Sequence, residues 1–280
     1  LSNKIIVTHV TDLVYTPGVW DALRQTDLDA SNTNNVVLIY GWNNSDGDIT
    51  NDRTRDNTLQ DSGSGATFVW NREHVYPKSL ANPALVTGTP GAGTDAHNLR
   101  PADRSRNTSR SNRKFADGSG TTSYITPSGD WYPGDEWKGD VARMMMYMYL
   151  RYGNQTLPTN VGVGSTVASD PNMNILFLEW NAEDPVSDLE RQRNPVLETL
   201  QGNRNPFIDN PAFATQIWGG PQAEDLFNGG SDTQAPSVPT NMTSSNTSSN
   251  STLLSWTAST DNVGIAQYNV FIDGGLVGTT

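Results

Sequence analysis

Cysteine is absent from the 280 residues. That excludes disulfides, thiolate metal sites and a cysteine nucleophile together. It leaves the compartment open, because a domain of this size folds without covalent staples. No stretch approaches the roughly 18 apolar residues of a membrane helix, so membrane insertion is not expected. The opening LSNKIIVTHV has neither the charged start nor the long apolar core of a secretion signal, and no initiator Met precedes it. A processed or trimmed chain is the expectation. Excess positive charge is missing as well. The formal net charge is −12, which argues against broad, sequence-blind attraction to nucleic acid or anionic lipid. Histidine is scarce, with His9, His74 and His97 the complete set.

What is present is unevenly spread. Eight Trp, nine Tyr and seven Phe supply a core despite the polar average. Six cations (Arg100, Arg104, Arg106, Arg110, Arg113 and Lys114) fall between Asn98 and Phe115 against one acid, Asp103. Arg outnumbers Lys by 14 to 4, and the planar guanidinium fork suits phosphate better than an ammonium does. Taken alone, such a run is as often a solvated helix face as a phosphate site.

Along the chain, VVLIYGW (36–42) and the segment ATFVWNREHVYP read as strands. A Gly/Pro/Thr loop at 87–94 follows, then a helix from Arg104 to Phe115 capped by Asp103. VARMMMYMYLRY (141–152) is apolar almost all round and is expected to be a central buried helix, with Asp140 as its cap and its methionines as core filler. NILFLEW and PVSDLERQRNPVLETLQ read as two more helices, and GNRNPFIDNP as a turn-rich loop. The composition then shifts. Residues 1–220 form a first domain, 221–234 a Gly/Pro/Ser linker, and 235–280 a region of short alternating strands. With its AP-S-x-P opening and Trp256 in LSW, this last region resembles the start of a fibronectin type III module. A whole sandwich of that kind takes about 100 residues; 46 remain from Ala235, so a truncated module is expected.

The chemistry points to Arg72, Glu73 and His74, three consecutive functional groups in WNREHVYP. Phosphodiester hydrolysis needs a base for the attacking water and positive charge for the leaving oxygen. A histidine suits the first task at neutral pH. A hard cation held by a few oxygens suits the second; Glu73 offers a carboxylate, and Asn107 or Asn112 an amide oxygen. Neighbours on a regular strand point to opposite faces, so a twist or bulge at Pro77 is required to aim Glu73 and His74 at one phosphate. His97, beside Asp95, is expected to orient the site through hydrogen bonds. Asn203, Arg204, Asn205 and Asp209 are expected to staple the C-terminal loop of the first domain to its core.

WNREHVYPKS, TDAHNLRPADRSRNTSRSNRKF, KGDVARMMMYMYLRY and DPVSDLERQRNPVLETLQGNRNPFIDNP occur in this order. The ordered set resembles the bacterial endonuclease I family, secreted or periplasmic nucleases with a ββα-metal (His-Me finger) site, over about residues 9–218. The resemblance implies an α+β fold with a ββα-metal core surrounded by helices. It makes His74 the general base, Glu73 a ligand of a single Mg²⁺ (Mn²⁺ or Ca²⁺ as alternatives), and Asn107 the second ligand. Family members often carry several disulfides, which this chain lacks. The phosphate-clamping Arg does not transfer by motif; Arg100 is the first substitute and Arg72 the second. Arg104, Arg106, Arg110, Arg113 and Lys114 are candidate nucleic-acid contacts.

The implied activity is a secreted, metal-dependent endonuclease without sequence specificity, cutting DNA, with RNA as a second candidate substrate, to leave 5′-phosphate ends. No helix-turn-helix or zinc-finger pattern is present to read bases. A monomer with nucleic acid as its partner is expected; the C-terminal module would add an unknown partner. Two other readings stay open: an inactive nuclease-like binding or adhesion protein, and a zinc hydrolase using Glu73, His74 and His97.

Overall fold

Ten consecutive residues, Gly139 to Met148, are buried in one helix. A helix can lose all its faces to the interior only when the fold is built around it. The computed structural model describes residues 1–227, 236–260 and 268–279, and they fall into two units, Leu1–Leu226 and Phe227–Thr280.

The first unit opens with α1 (Ser2–Thr8) and α2 (Trp20–Thr26), followed by β1 (Asn35–Val37) and β2 (Thr54–Asp56). Next come β3 (Trp70–His74), β4 (Leu99–Asp103) and α3 (Arg104–Arg110), then β5 (Tyr124–Ile125) and β6 (Trp131–Tyr132). The central helix is α4 (Lys138–Tyr152). After it come α5 (Pro158–Val161), β7 (Thr166–Val167), β8 (Asp170–Asn174), α6 (Ile175–Glu183), α7 (Asp188–Gln201), α8 (Pro206–Asp209) and α9 (Ala212–Trp218). The strands pair in antiparallel twos, β1 with β2, β3 with β4, β5 with β6 and β7 with β8. The architecture is α+β.

The core surrounds α4. Met144, Met145, Met146 and Met148 are all buried there, with Trp131, Trp137, Phe177 and Trp180. Each such side chain contributes roughly 1.5–3 kcal/mol by leaving water. Helix α4 begins three residues before the expected Val141, and Asp140 lies inside its first turn rather than capping it. The Asp140 carboxylate accepts from Arg100 Nη1 at 2.8 Å, which turns it from a cap into a core countercharge. Helix α7 carries a full capping box, with Ser187 and Glu190 satisfying each other's backbone amides. The 202–211 segment, expected as loop, contains the short helix α8, and Arg204 is paired with Asp209 at 2.5 Å.

Helix α3 is shorter than expected. It stops at Arg110 because Ser111 takes φ +54°, ψ −127°, a backbone region that disfavours any side chain and cannot continue a right-handed helix. Its start is as expected, with the Asp103 carboxylate accepting from Arg106 N at 2.9 Å.

In the second unit, β9 (Thr240–Ser245) pairs antiparallel with β10 (Leu253–Thr257), and β11 (Asn269–Ile272) with β12 (Gly275–Thr279). Among the described residues these are two two-stranded sheets, which do not by themselves make up the partial sandwich expected there. Trp256 packs edge-on against Tyr268, with ring centroids 5.3 Å apart. Residues 228–234 of the expected linker, and Ala235 where the module was expected to begin, lie outside the described residues.

Candidate active site

Strands β3 and β4 pair without a break across five positions, from Trp70↔Asp103 to His74↔Leu99. Helix α3 follows β4 directly, so two antiparallel strands and a helix form one local unit. The register holds through Glu73 and His74, so within β3 the two side chains keep opposite faces. Beyond a bridge from Gln60 to Trp70, no strand pairs with the other edge of β3 among the described residues. A ligand lying along such a free edge meets side chains from both faces.

On one face, Asn71 and Glu73 look toward α3. Asn107 Nδ2 donates to Asn71 Oδ1 at 2.8 Å. Glu73 Oε1 accepts from the Tyr40 hydroxyl at 3.1 Å and lies 3.5 Å from Arg110 Nη1. Burial pushes the Glu73 carboxyl up to about 7, against the opposing pull of Arg110 and the Tyr40 hydrogen bond. Tyr40 takes φ +72°. In the first unit, Tyr40 and Ser111 are the non-glycine residues with positive φ among the described residues, and both border this site. Strained backbone concentrates where function over-determines it.

On the other face, Arg72 and His74 meet the 15–20 segment. The Arg72 guanidinium lies over the rings of Tyr15 and Trp20, 3.5 and 4.0 Å from their centroids. It also donates to Tyr15 O and to Thr16 Oγ1. The His74 ring stacks on Tyr15 at 5.8 Å. Its Nε2 lies 2.8 Å from Gly93 O. A carbonyl can only accept, so Nε2 carries the proton and Nδ1 keeps a lone pair. Burial pushes His74 down to about 4; the Gly93 carbonyl opposes this, and the charges of Lys78, Arg72 and Arg110 add to it. The imidazole is therefore neutral at neutral pH.

These faces meet at a cleft of about 440 Å³. Arg72, Glu73, His74 and Asn107 line it, together with Tyr15, Pro77, Lys78, Ser79, Ser111 and Asn112. Glu73 fits a divalent cation: it is a buried carboxylate facing a single guanidinium. The Asn107 amide fits too, since its nitrogen is engaged by Asn71 and its oxygen remains for a ligand. Among the described residues no group of three His, Asp or Glu could hold a metal. Glu73 and Asn107 therefore offer two oxygen donors between them, a number that suits an ion retaining several waters.

The other sequence candidates lie elsewhere. Arg100 is buried, with Nε 2.5 Å from Asp27 Oδ1 and Nη1 2.8 Å from Asp140 Oδ2, so it ties β4 to α2 and α4 rather than facing the cleft. Arg110 is fully buried and donates to Val75 O at 2.7 Å. It faces Glu73 at 3.5 Å and does not line the cleft. Arg104 pairs with Asp61 at 3.3 Å, and Arg106 stacks on Trp42 at 4.5 Å. Arg113 donates to Ser109 O and Lys114 to Thr159 O. None of these four lines the cleft. His97 Nε2 meets Asn203 O at 3.1 Å, and the ring stacks on Tyr147 at 4.2 Å. Asp95 accepts from Tyr147, Tyr152 and Gln201. This cluster anchors the loop that presents Gly93 O to His74. Glu73, His74 and His97 form no group that could hold a metal among the described residues, which removes the basis for a three-ligand zinc centre.

Sequence reasoning missed Tyr40, Asn71, Tyr15 and Lys78. Asn71 lies within WNREHVYP and Lys78 directly after it, and an alternating strand reading places Asn71 with Glu73. Tyr15 and Tyr40 carry no local signal, because they reach the site only through folding.

The class of protein defined here is a nuclease, and the comparisons agree. Residues 1–212 match the Endonuclease I family. The chain is 41% identical over 227 residues to an extracellular ribonuclease of Bacillus subtilis, covering 77% of this chain and 72% of that protein. It is 30% identical over 129 residues to an extracellular deoxyribonuclease of Aeromonas hydrophila, 41% of this chain and 49% of that protein. A third match, 53% identical over 76 residues, is to chitinase A1 of Niallia circulans, 26% of this chain and 9% of that protein. This chain belongs to the Endonuclease I family.

Proposed function

We propose that the protein is a secreted, metal-dependent endonuclease of the ββα-metal type, hydrolysing phosphodiester bonds of RNA and DNA without sequence specificity. The observation that carries this reading is the cleft lined jointly by His74, Glu73 and Asn107. His74 takes a proton from water at Nδ1, and the Gly93 carbonyl keeps the ring in the required tautomer. A phosphate in the cleft brings negative charge, which raises the imidazole from its low resting basicity toward neutrality. Glu73 and Asn107 would hold Mg²⁺, which when bound offsets the charge growing on the phosphate and on the leaving 3′ oxygen. Water attacks phosphorus, the bond to the 3′ oxygen breaks, and a 5′-phosphate and a 3′-hydroxyl result.

Both nucleic acids are included because one relative is named a ribonuclease and another a deoxyribonuclease. Both names carry the word extracellular, which supports secretion. Residues 235–280 are read as fibronectin type III-like, supported by the Trp256–Tyr268 packing and the partial chitinase match. The test is a plasmid-nicking and RNA-cleavage assay in Mg²⁺, in EDTA, and with His74→Ala. Cleavage that needs the metal and drops at least ~100-fold in the variant is expected. A wild-type chain that leaves both substrates intact in Mg²⁺ ends the reading.

A further inference from the structure

Two cations line the cleft, Arg72 and Lys78. They differ in their commitments. Arg72 is half-buried, held by the Tyr15 carbonyl and the Thr16 hydroxyl and sandwiched by two aromatic rings. The Lys78 side chain is exposed and makes no hydrogen bond or ion pair among the described residues. Every cation of the 98–115 segment is engaged outside the cleft or buried beneath it. Lys78 is thus the mobile positive charge left on this wall.

Its backbone, by contrast, is fixed. Leu85 N donates to Lys78 O at 3.0 Å, and Leu80 N to Pro77 O at 3.1 Å. Asn98 clasps Tyr76 from both sides, accepting from its N–H at 2.7 Å and donating to its carbonyl at 3.2 Å. Beside Lys78, Ser79 Oγ accepts from Asn112 Nδ2 at 3.2 Å, joining this turn to the end of α3. A flexible ammonium on a rigid mount suits a charge that must follow a phosphate through a reaction. The wall it stands on carries no carboxylate apart from Glu73.

We propose that Lys78 is a catalytic residue, its ammonium binding a non-bridging oxygen of the phosphate being cleaved. The inference rests on the nuclease reading above and adds to it the cation that the arginine-rich segment does not supply.

The test uses the full chain and its Lys78→Met and Lys78→Arg variants, with a single-stranded oligonucleotide as the probe. Binding is followed by fluorescence anisotropy in EDTA across a salt series, and cleavage is followed separately in Mg²⁺. Lys78→Met should weaken binding and flatten the log–log salt slope by about 0.7, the value for one lost phosphate contact on a single strand. It should lower kcat/KM by about 10- to 100-fold, with Lys78→Arg restoring part of both. The exposed side chain should leave the melting temperature unchanged. Binding and cleavage by Lys78→Met within twofold of wild type, at the same salt slope, would overturn the proposal while leaving the nuclease reading intact. A wild-type chain that neither binds nor cuts the oligonucleotide would remove both.

Discussion

Asn71 Oδ1 and Asn107 Nδ2 lie 2.8 Å apart, joining strand β3 to helix α3 at the site. Both amides are partly buried, and the bond decides which end of Asn107 is available. With its nitrogen committed to Asn71, the Asn107 oxygen is the atom left for a hard cation. Asn71 shares the strand face of Glu73, so one face presents the carboxylate and also positions the amide.

Asn71→Ala should therefore act on metal binding before it acts on folding. Loss of an orienting partner typically costs a metal site 10- to 100-fold in affinity, and a fall of about that size is expected here. Calorimetric titration of the variant with Mg²⁺ or Mn²⁺ measures it, alongside thermal unfolding. Unchanged affinity would show that Asn107 needs no such support.

Arg100→Met should destabilise the fold by about 3–5 kcal/mol, as expected for a buried ion pair deprived of one partner. Asp27 and Asp140 both lose a guanidinium in this variant, although Arg193 still faces Asp27. Urea unfolding would report the loss. Molecules that remain folded at low temperature should keep their nuclease rate; a selective collapse of kcat in folded Arg100→Met would return this residue to the site.

His97 predicts how stability responds to acid. Burial pushes its imidazole down to about 4; Asp95 and the Asn203 carbonyl oppose the shift, and Arg193 and His9 add to it. A histidine whose folded-state pKa is depressed stabilises the fold fully above its unfolded value near 6.5, and that stability is lost as pH falls toward 4. The part due to His97 amounts to about 3 kcal/mol across this window. Urea unfolding at stepped pH should show the decline, and His97→Gln should flatten it. His74, shifted the same way, leaves a residual slope in that variant.

The local chemistry was legible where it depends on neighbours in the chain. WNREHVYP announced a carboxylate and an imidazole, and the polar run after Asp103 announced a capped helix carrying Asn107. The arginines were not legible by position. Six cations in eighteen residues look like one phosphate-binding face, yet Arg100 and Arg110 were drawn inside by Asp27, Asp140 and Glu73. A guanidinium is compatible with a core as long as carboxylates or carbonyls meet it there. Those partners lie up to 73 residues away in sequence, beyond any local pattern. Glu73 and His74 keep opposite faces of β3, and both line the cleft at its free edge.

The sequence by itself determined the carboxylate and imidazole side by side at 73 and 74, the apolar helix at the centre and the break in composition near residue 220. Covalent order and hydrophobic period are local properties, and local reading recovers them. Only the tertiary structure decided which nitrogen of His74 is free, which atom of Asn107 faces a ligand, and which cations reach the cleft. Those outcomes depend on Gly93, Asn71, Tyr40 and Asp27, groups that only folding brings near the groups they control. Hydrogen bonds and burial act over a few ångströms, and the chain supplies that proximity only once it is packed.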